Sequence, residues 1–243
     1  MKKEEEPVSY LSKALSGFFL ILICSWLFPT VIPFETFQVW GMKGGLIDWV
    51  VSAWPVVAWG AVLNLVFMLS RWDKRSHHDP EDILLPGIAI SVWAGVMEEI
   101  CFRWLIFYSS IVGLKISNFL FFGCLGFGVP ENVYLWIVAP VANFFTAGFL
   151  HTVLYHPAGW FVGAAMLASN AFFRDGHKYQ GVIGWIDAWF FGMFCFWLLF
   201  TYGLVACIVV HFLYDAGVFT MAFVEAVIKE QFVRRRSLRK AGF

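Results

Sequence analysis

Long apolar runs, set apart by short polar or charged breaks, constrain this chain more than any other feature. They lie near 14–33, 46–69, 83–112, 116–128, 133–155, 158–173, 182–200 and 202–227. A helix needs about 20 apolar residues to cross the hydrocarbon core of a bilayer. The runs are continuously apolar, without the in–out alternation of a membrane β-barrel. The fold expected is all-α, a polytopic transmembrane helical bundle of about eight spans. The 116–128 run is short and glycine-rich (Gly123, Gly126, Gly128) and is read as re-entrant or tilted. Charged residues make up 14% of the 243 and apolar residues 60%, against about 25% charged in soluble domains, so a soluble globule is excluded.

Lys and Arg collect at the N-terminus (Lys2, Lys3, Lys13), in the second loop (Arg71, Lys74, Arg75), around Arg174 and Lys178, and in the tail from Lys229 to Lys240. With an even number of crossings all four fall on the cytoplasmic side, so both termini are expected there. The first apolar run follows Glu4, Glu5 and Glu6 and precedes no small-x-small cleavage site, so it reads as a retained helix, not a cleaved signal peptide. The 17 basic residues balance the 17 acidic ones, leaving no basic field to attract nucleic acid. The five cysteines lie in apolar segments and form no CxxC pair, hence no disulfide framework. Residues 1–82 read as a two-span region with a cytoplasmic loop, 83–227 as the bundle carrying the chemistry, and 228–243 as a basic tail. The His77–His78 pair in the loop is read as solvated.

Three polar features interrupt this pattern. Glu98 and Glu99 fall near the middle of the third run, with Arg103 one turn on. A charge at the centre of a membrane helix costs about 2.5–3.5 kcal/mol even on insertion scales, and intramembrane ionisable groups are functional by default. Glu99 and Arg103 are i, i+4 neighbours and can pair, whereas Glu98 is rotated about 100° away and points elsewhere. In the last run His211 and Asp215 share a face by the same spacing, either as a self-satisfied pair or as a carboxylate steering an imidazole. The third feature is S-N-A-F-F-R-D-G-H-K-Y-Q-G over 169–181, which carries His177 four residues after Phe173. His151 and His156 compete with His177 for any role.

Taken in order, Glu98-Glu99-x-x-x-Arg103, Phe173-x-x-x-His177 and His211-x-x-x-Asp215 resemble the three motifs of the CPBP family, the CAAX proteases and bacteriocin-processing (Abi) enzymes. The resemblance covers roughly 83–220. It departs from the family in the Arg-Asp-Gly between Phe173 and His177, where relatives carry small or apolar residues, and in a longer gap between the first two motifs. It implies an intramembrane endopeptidase that hydrolyses a peptide bond with a glutamate-activated water, acting on a peptide or protein, in some members a lipidated one. Glu98, Glu99, Arg103, His177, His211 and Asp215 would be its catalytic residues. Glu98 would act as base, Glu99 would be held ionised by Arg103, His177 would share the water, and His211, steered by Asp215, would donate to the oxyanion. The spacing leaves open which glutamate is the base.

No cofactor is expected. Zinc on Glu98, Glu99, His177 and His211 ranks lower because no HExxH is present. Cys101 as a nucleophile ranks lower still, since an apolar setting disfavours the thiolate. Two other classes stay open: a non-proteolytic scaffold or bacteriocin-immunity protein on the same fold, and a proton-coupled transporter.

Overall fold

The computed structural model describes residues 7–70 and 80–240. Lys2, Lys3, Arg71, Lys74, Arg75 and the His77–His78 pair lie outside the described residues. Every regular element among those described is helical. In chain order these are α1 (Pro7–Leu27), α2 (Leu46–Ser52), α3 (Trp54–Ser70) and α4 (Glu81–Glu98). A π-helical stretch, Glu99–Ile106, joins α4 to α5 (Phe107–Leu120). Then come α6 (Val129–Val133), a second π-helical stretch (Tyr134–Val138), α7 (Ala139–Phe145) and α8 (His151–Leu154). The chain ends with α9 (Trp160–Gly176), α10 (Gly181–Tyr202) and α11 (Leu204–Lys240).

Among the described residues three helices are long and apolar enough to cross a membrane: Glu81–Leu120, Lys178–Tyr202 and Leu204–Phe232. Leu46–Ser52 and Trp54–Val66 make a fourth if taken together, although bent by 51°. The break falls at Ala53, two residues ahead of Pro55, which has no N–H to donate and whose ring crowds the carbonyl one turn back.

Three expected segments take another form. Runs 83–112 and 116–128 do not become two helices, because nothing between them breaks one. Lys115, the lone charge there, donates from Nζ to the Thr30 carbonyl at 3.0 Å and lies 4.1 Å over the Phe161 ring. The 133–155 run, in contrast, is broken at 146–150, where Ala147 and Gly148 take left-handed φ angles of 49° and 77°. The turn satisfies its own donors: Ala147, Gly148, Phe149 and His151 N–H groups bond the carbonyls of Phe144, Asn143, Thr146 and Gly148 at 2.8–3.0 Å. An unsatisfied backbone group in hydrocarbon costs several kcal/mol, so this turn is compatible with an apolar setting.

The chain divides into two compact units, one comprising Met1–Lys43 and Glu98–Cys207, the other Gly44–Met97 and Ile208–Phe243. In the first, α5 and α9 run antiparallel. Phe102, just ahead of α5, packs edge-on against Phe173 near the end of α9, and Lys115 meets Phe161 at its start. The Ser169 hydroxyl donates to the Phe102 carbonyl within the π-helical stretch. Closing bonds at i+5 gives a wider turn than the α-helix, and Ser169 ties that turn to α9. The loop after α1 is held by Trp104 Nε1 donating to the Thr36 carbonyl at 2.8 Å and the Tyr108 hydroxyl donating to the Glu35 carbonyl at 3.2 Å.

Residues 121–159 leave α5 and return to α9 at the same end of this unit. The Glu131 N–H donates to Asn118 Oδ1 at 3.3 Å on the way out. On the way back the Tyr134 hydroxyl donates to the Leu154 carbonyl at 2.8 Å, closing the hairpin. That closure depends on Gly163, where a Cβ would collide with the Tyr134 hydroxyl and come within 2.7 Å of the Leu154 carbonyl oxygen. The Leu154 backbone cannot yield as a side chain can. Gly163→Ala is expected to lower stability by about 1–3 kcal/mol, the usual range for overpacking. Thermal unfolding in detergent measures it, and adding Tyr134→Phe should recover only part.

In the second unit, small residues let α11 approach α4. A Cβ on Gly95 would lie 3.1 Å from the Ile208 carbonyl oxygen and 3.2 Å from the Phe212 nitrogen, and Gly87 sits under the Phe219 ring. Gly87, Ser91 and Gly95 form an i, i+4, i+8 stripe, the spacing that brings membrane helices close. The same i+4 series continues along the chain to Glu99 and Arg103, and all five residues are buried.

Candidate functional site

Glu98, Glu99, Arg103 and His177 all belong to the first unit. The two adjacent glutamates have opposite surroundings. Glu99 pairs with Arg103 at 3.1 Å, Oε2 to Nε, and both side chains are 0% exposed. Glu98 is 32% exposed, and its Oε2 lies 3.8 Å from His177 Nε2. The difference follows from their places on the helix: consecutive residues diverge by about 100°, so one carboxylate faces the packed interior and its neighbour faces the end of α9.

Phe173 connects these two pairs. The Arg103 guanidinium carbon lies 4.2 Å from the Phe173 ring centroid and 5.6 Å from that of Phe196. Aromatic faces carry negative charge density and hold a desolvated cation, so the guanidinium is stabilised by rings as well as by Glu99. Phe173 also meets the His177 ring, with centroids 4.6 Å apart. The Phe173 carbonyl also lies 2.8 Å from His177 Nδ1. A carbonyl only accepts, so Nδ1 carries the proton. In the neutral ring Nε2 is then a bare acceptor, directed towards Glu98.

His177 ends α9 and is followed by a 3-10 turn, Lys178–Gln180, before α10 begins. The Arg-Asp pair ahead of it builds a charged knot. Asp175 Oδ1 accepts from Arg174 Nε at 2.9 Å and Trp185 Nε1 at 3.0 Å, while Oδ2 receives Lys178 Nζ at 2.9 Å. The Arg174 guanidinium lies 4.2 Å over the Trp185 ring. Asp175 therefore takes charge-assisted bonds from both Lys178 and Arg174, and a third bond from Trp185.

His211 and Asp215 lie on α11 in the second unit and pair at 3.5 Å, Nε2 to Oδ2, with the histidine buried. The competing histidines have other surroundings. His151 is exposed and stacks on Tyr155 at 4.8 Å. His156 is wedged between Phe34 and Phe200, with ring centroids at 5.5 and 5.6 Å. Its Nδ1 accepts the Ala158 N–H at 3.1 Å, and burial lowers its pKa, so it is held neutral. Among the described residues no group of three or more His, Cys, Asp or Glu side chains is placed to hold a metal ion.

Sequence reasoning treated Phe173 as a spacing mark and Arg174–Asp175 as a departure from pattern. The structure gives both a physical part, and only the second had a readable signal: Asp175 and Lys178 at i, i+3 in a stretch followed by two tryptophans. In comparisons with protein-family models, curated proteins and solved structures, nothing matches this chain.

Proposed function

We propose that the chain is an intramembrane endopeptidase of the CAAX-protease-like type, using a water activated between Glu98 and His177. The observation that carries the reading is the approach of Glu98 Oε2 to His177 Nε2 at 3.8 Å, with Nδ1 already committed to the Phe173 carbonyl. At this distance a bridging water that donates to both acceptors fits between them. Such a water is polarised on two sides. When it attacks a scissile carbonyl, one of the pair takes its proton and later returns it to the leaving amine. Glu98, partly accessible, suits the base. Glu99, sealed and paired, suits the fixed negative partner that holds Arg103 in place. The developing oxyanion needs a further donor.

The test is cleavage by the purified protein in liposomes, with a peptide ending in a C-a-a-X sequence supplied in prenylated and unprenylated forms. Mass spectrometry should detect loss of the last three residues. Abolition by chelators with recovery on zinc would favour the metal form of the reaction. No cleavage, together with a cellular phenotype that survives Glu98→Gln, would favour the scaffold or immunity reading.

The proposed topology has six crossings: 14–33, 46–69, 81–120, 160–176, 178–202 and 204–232, with 121–159 entering and leaving on one side. It keeps every basic cluster and both termini cytoplasmic, as the positive-inside rule requires. Glu131→Cys and Ala158→Cys, each in a background lacking other accessible cysteines, should react with an impermeant maleimide from the same, non-cytoplasmic side. Eight crossings would put residue 131 on the opposite side from 158.

A further inference from the structure

The α9–α10 turn carries a feature that hydrolysis itself does not use. Asp175 accepts from three residues, all of them within the turn or on the helices it joins. The clamp surrounds His177 in sequence: Arg174 and Asp175 itself stand before it, Lys178 directly after it, and Trp185 on the first turns of α10. The backbone at His177 is tied on both sides, its N–H bonding the Arg174 carbonyl at 3.0 Å and its carbonyl accepting the Gln180 N–H at 3.0 Å. A helix end normally frays, because its last carbonyls lack partners. Here a charged clamp bridges the end of one helix to the start of the next, across the residue whose ring must stay on Glu98.

We infer that Asp175, through Arg174, Lys178 and Trp185, is the positioning residue that keeps the His177 imidazole directed at Glu98. This rests on the reading that His177 and Glu98 act together. The clamp is electrostatic where a tightly packed apolar turn would serve the same end. Charge-assisted bonds are about twice as strong as neutral ones, and Asp175 receives them from both Arg174 and Lys178.

Diethyl pyrocarbonate acylation of the reconstituted protein, followed residue by residue with peptide mass spectrometry, tests this without any substrate. In the parent, His177 should react slowly, since Nδ1 is bonded and Nε2 faces Glu98. Asp175→Asn should speed His177 modification about fivefold or more, as expected when a charge-assisted bond is lost, and leave His211 unchanged. Asp175→Glu, which keeps the carboxylate, should stay near the parent rate. Trp185→Phe removes one donor but keeps the ring under Arg174. It should give an intermediate rate, and it carries the test if Asp175→Asn fails to fold. An unchanged His177 rate in both variants overturns the inference, as does an equal rise at His177 and His211, which would indicate general loosening. In the cleavage assay Asp175→Asn should lower kcat up to about a hundredfold with KM unchanged, the scale of a misplaced reacting group. If the parent cleaves nothing, the protease reading fails while the His177 rate still decides the positioning role.

Discussion

Glu98→Gln is expected to lower peptide cleavage by the reconstituted protein about a thousandfold, within the range lost with a general base, and to leave thermal stability nearly unchanged. The side chain is one-third exposed and sits beside His177, so the amide fits the same space and still hydrogen-bonds, but it cannot take a proton. His177→Ala should cost a similar factor. The double variant should be little worse than either single one, because groups that act on one water fail as a unit. Initial rates at saturating peptide, with unfolding midpoints measured in parallel, separate chemistry from folding. Cleavage that persists in both Glu98→Gln and Glu99→Gln would remove the glutamate-water mechanism altogether.

Arg103→Met should produce the largest loss of stability. It leaves the Glu99 carboxylate, 0% exposed, without its counter-ion. Breaking a buried pair by removing one member costs about 3–5 kcal/mol, whereas replacing both members with neutral groups of similar size is often close to neutral. The combination Glu99→Gln with Arg103→Met should therefore recover much of what Arg103→Met alone loses. Recovery should be incomplete, because the guanidinium also lies over Phe173 and Phe196 and such contacts add up to about 2 kcal/mol when desolvated. Denaturant unfolding in detergent, followed by tryptophan fluorescence, gives the comparison. A double variant no more stable than the single one would mean that Arg103 acts through its rings and not through Glu99.

What could be read from residues alone was the part written in spacing and hydropathy. Continuous apolar runs between charges imply helices, and every described element is helical. The i, i+4 spacing of Glu99 and Arg103 and of His211 and Asp215 places each pair on one helix face, and the pairs stand at 3.1 and 3.5 Å. What escaped was written in backbone geometry. The 133–155 run has no charge inside it and looks like one crossing, yet it breaks at Ala147 and Gly148, a turn whose only mark in the sequence is a single glycine. Pairing an apolar run with a straight helix fails wherever the chain satisfies its own amides in a turn. The Arg-Asp-Gly departure looked like a weakness in the second motif because sequence comparison weighs residue type. A helix end needs something to hold it, and a charged clamp meets that need as well as close packing does.

The π-helical stretch also fixes a phase. A turn closed at i+5 takes up one residue more than an α-turn, so a residue added or removed there resets everything on one side of it by about 100°. Glu98 and Glu99 stand at its entry, and Tyr108 and Ile111, both fully buried, stand just beyond its exit. Deleting Trp104 or Leu105 would yield a more regular helix and still leave Glu98, Glu99, Arg103 and His177 in the sequence. It would turn the two glutamates about a quarter of the way round relative to the core that anchors α5, so the same residues on a shorter helix would present another face.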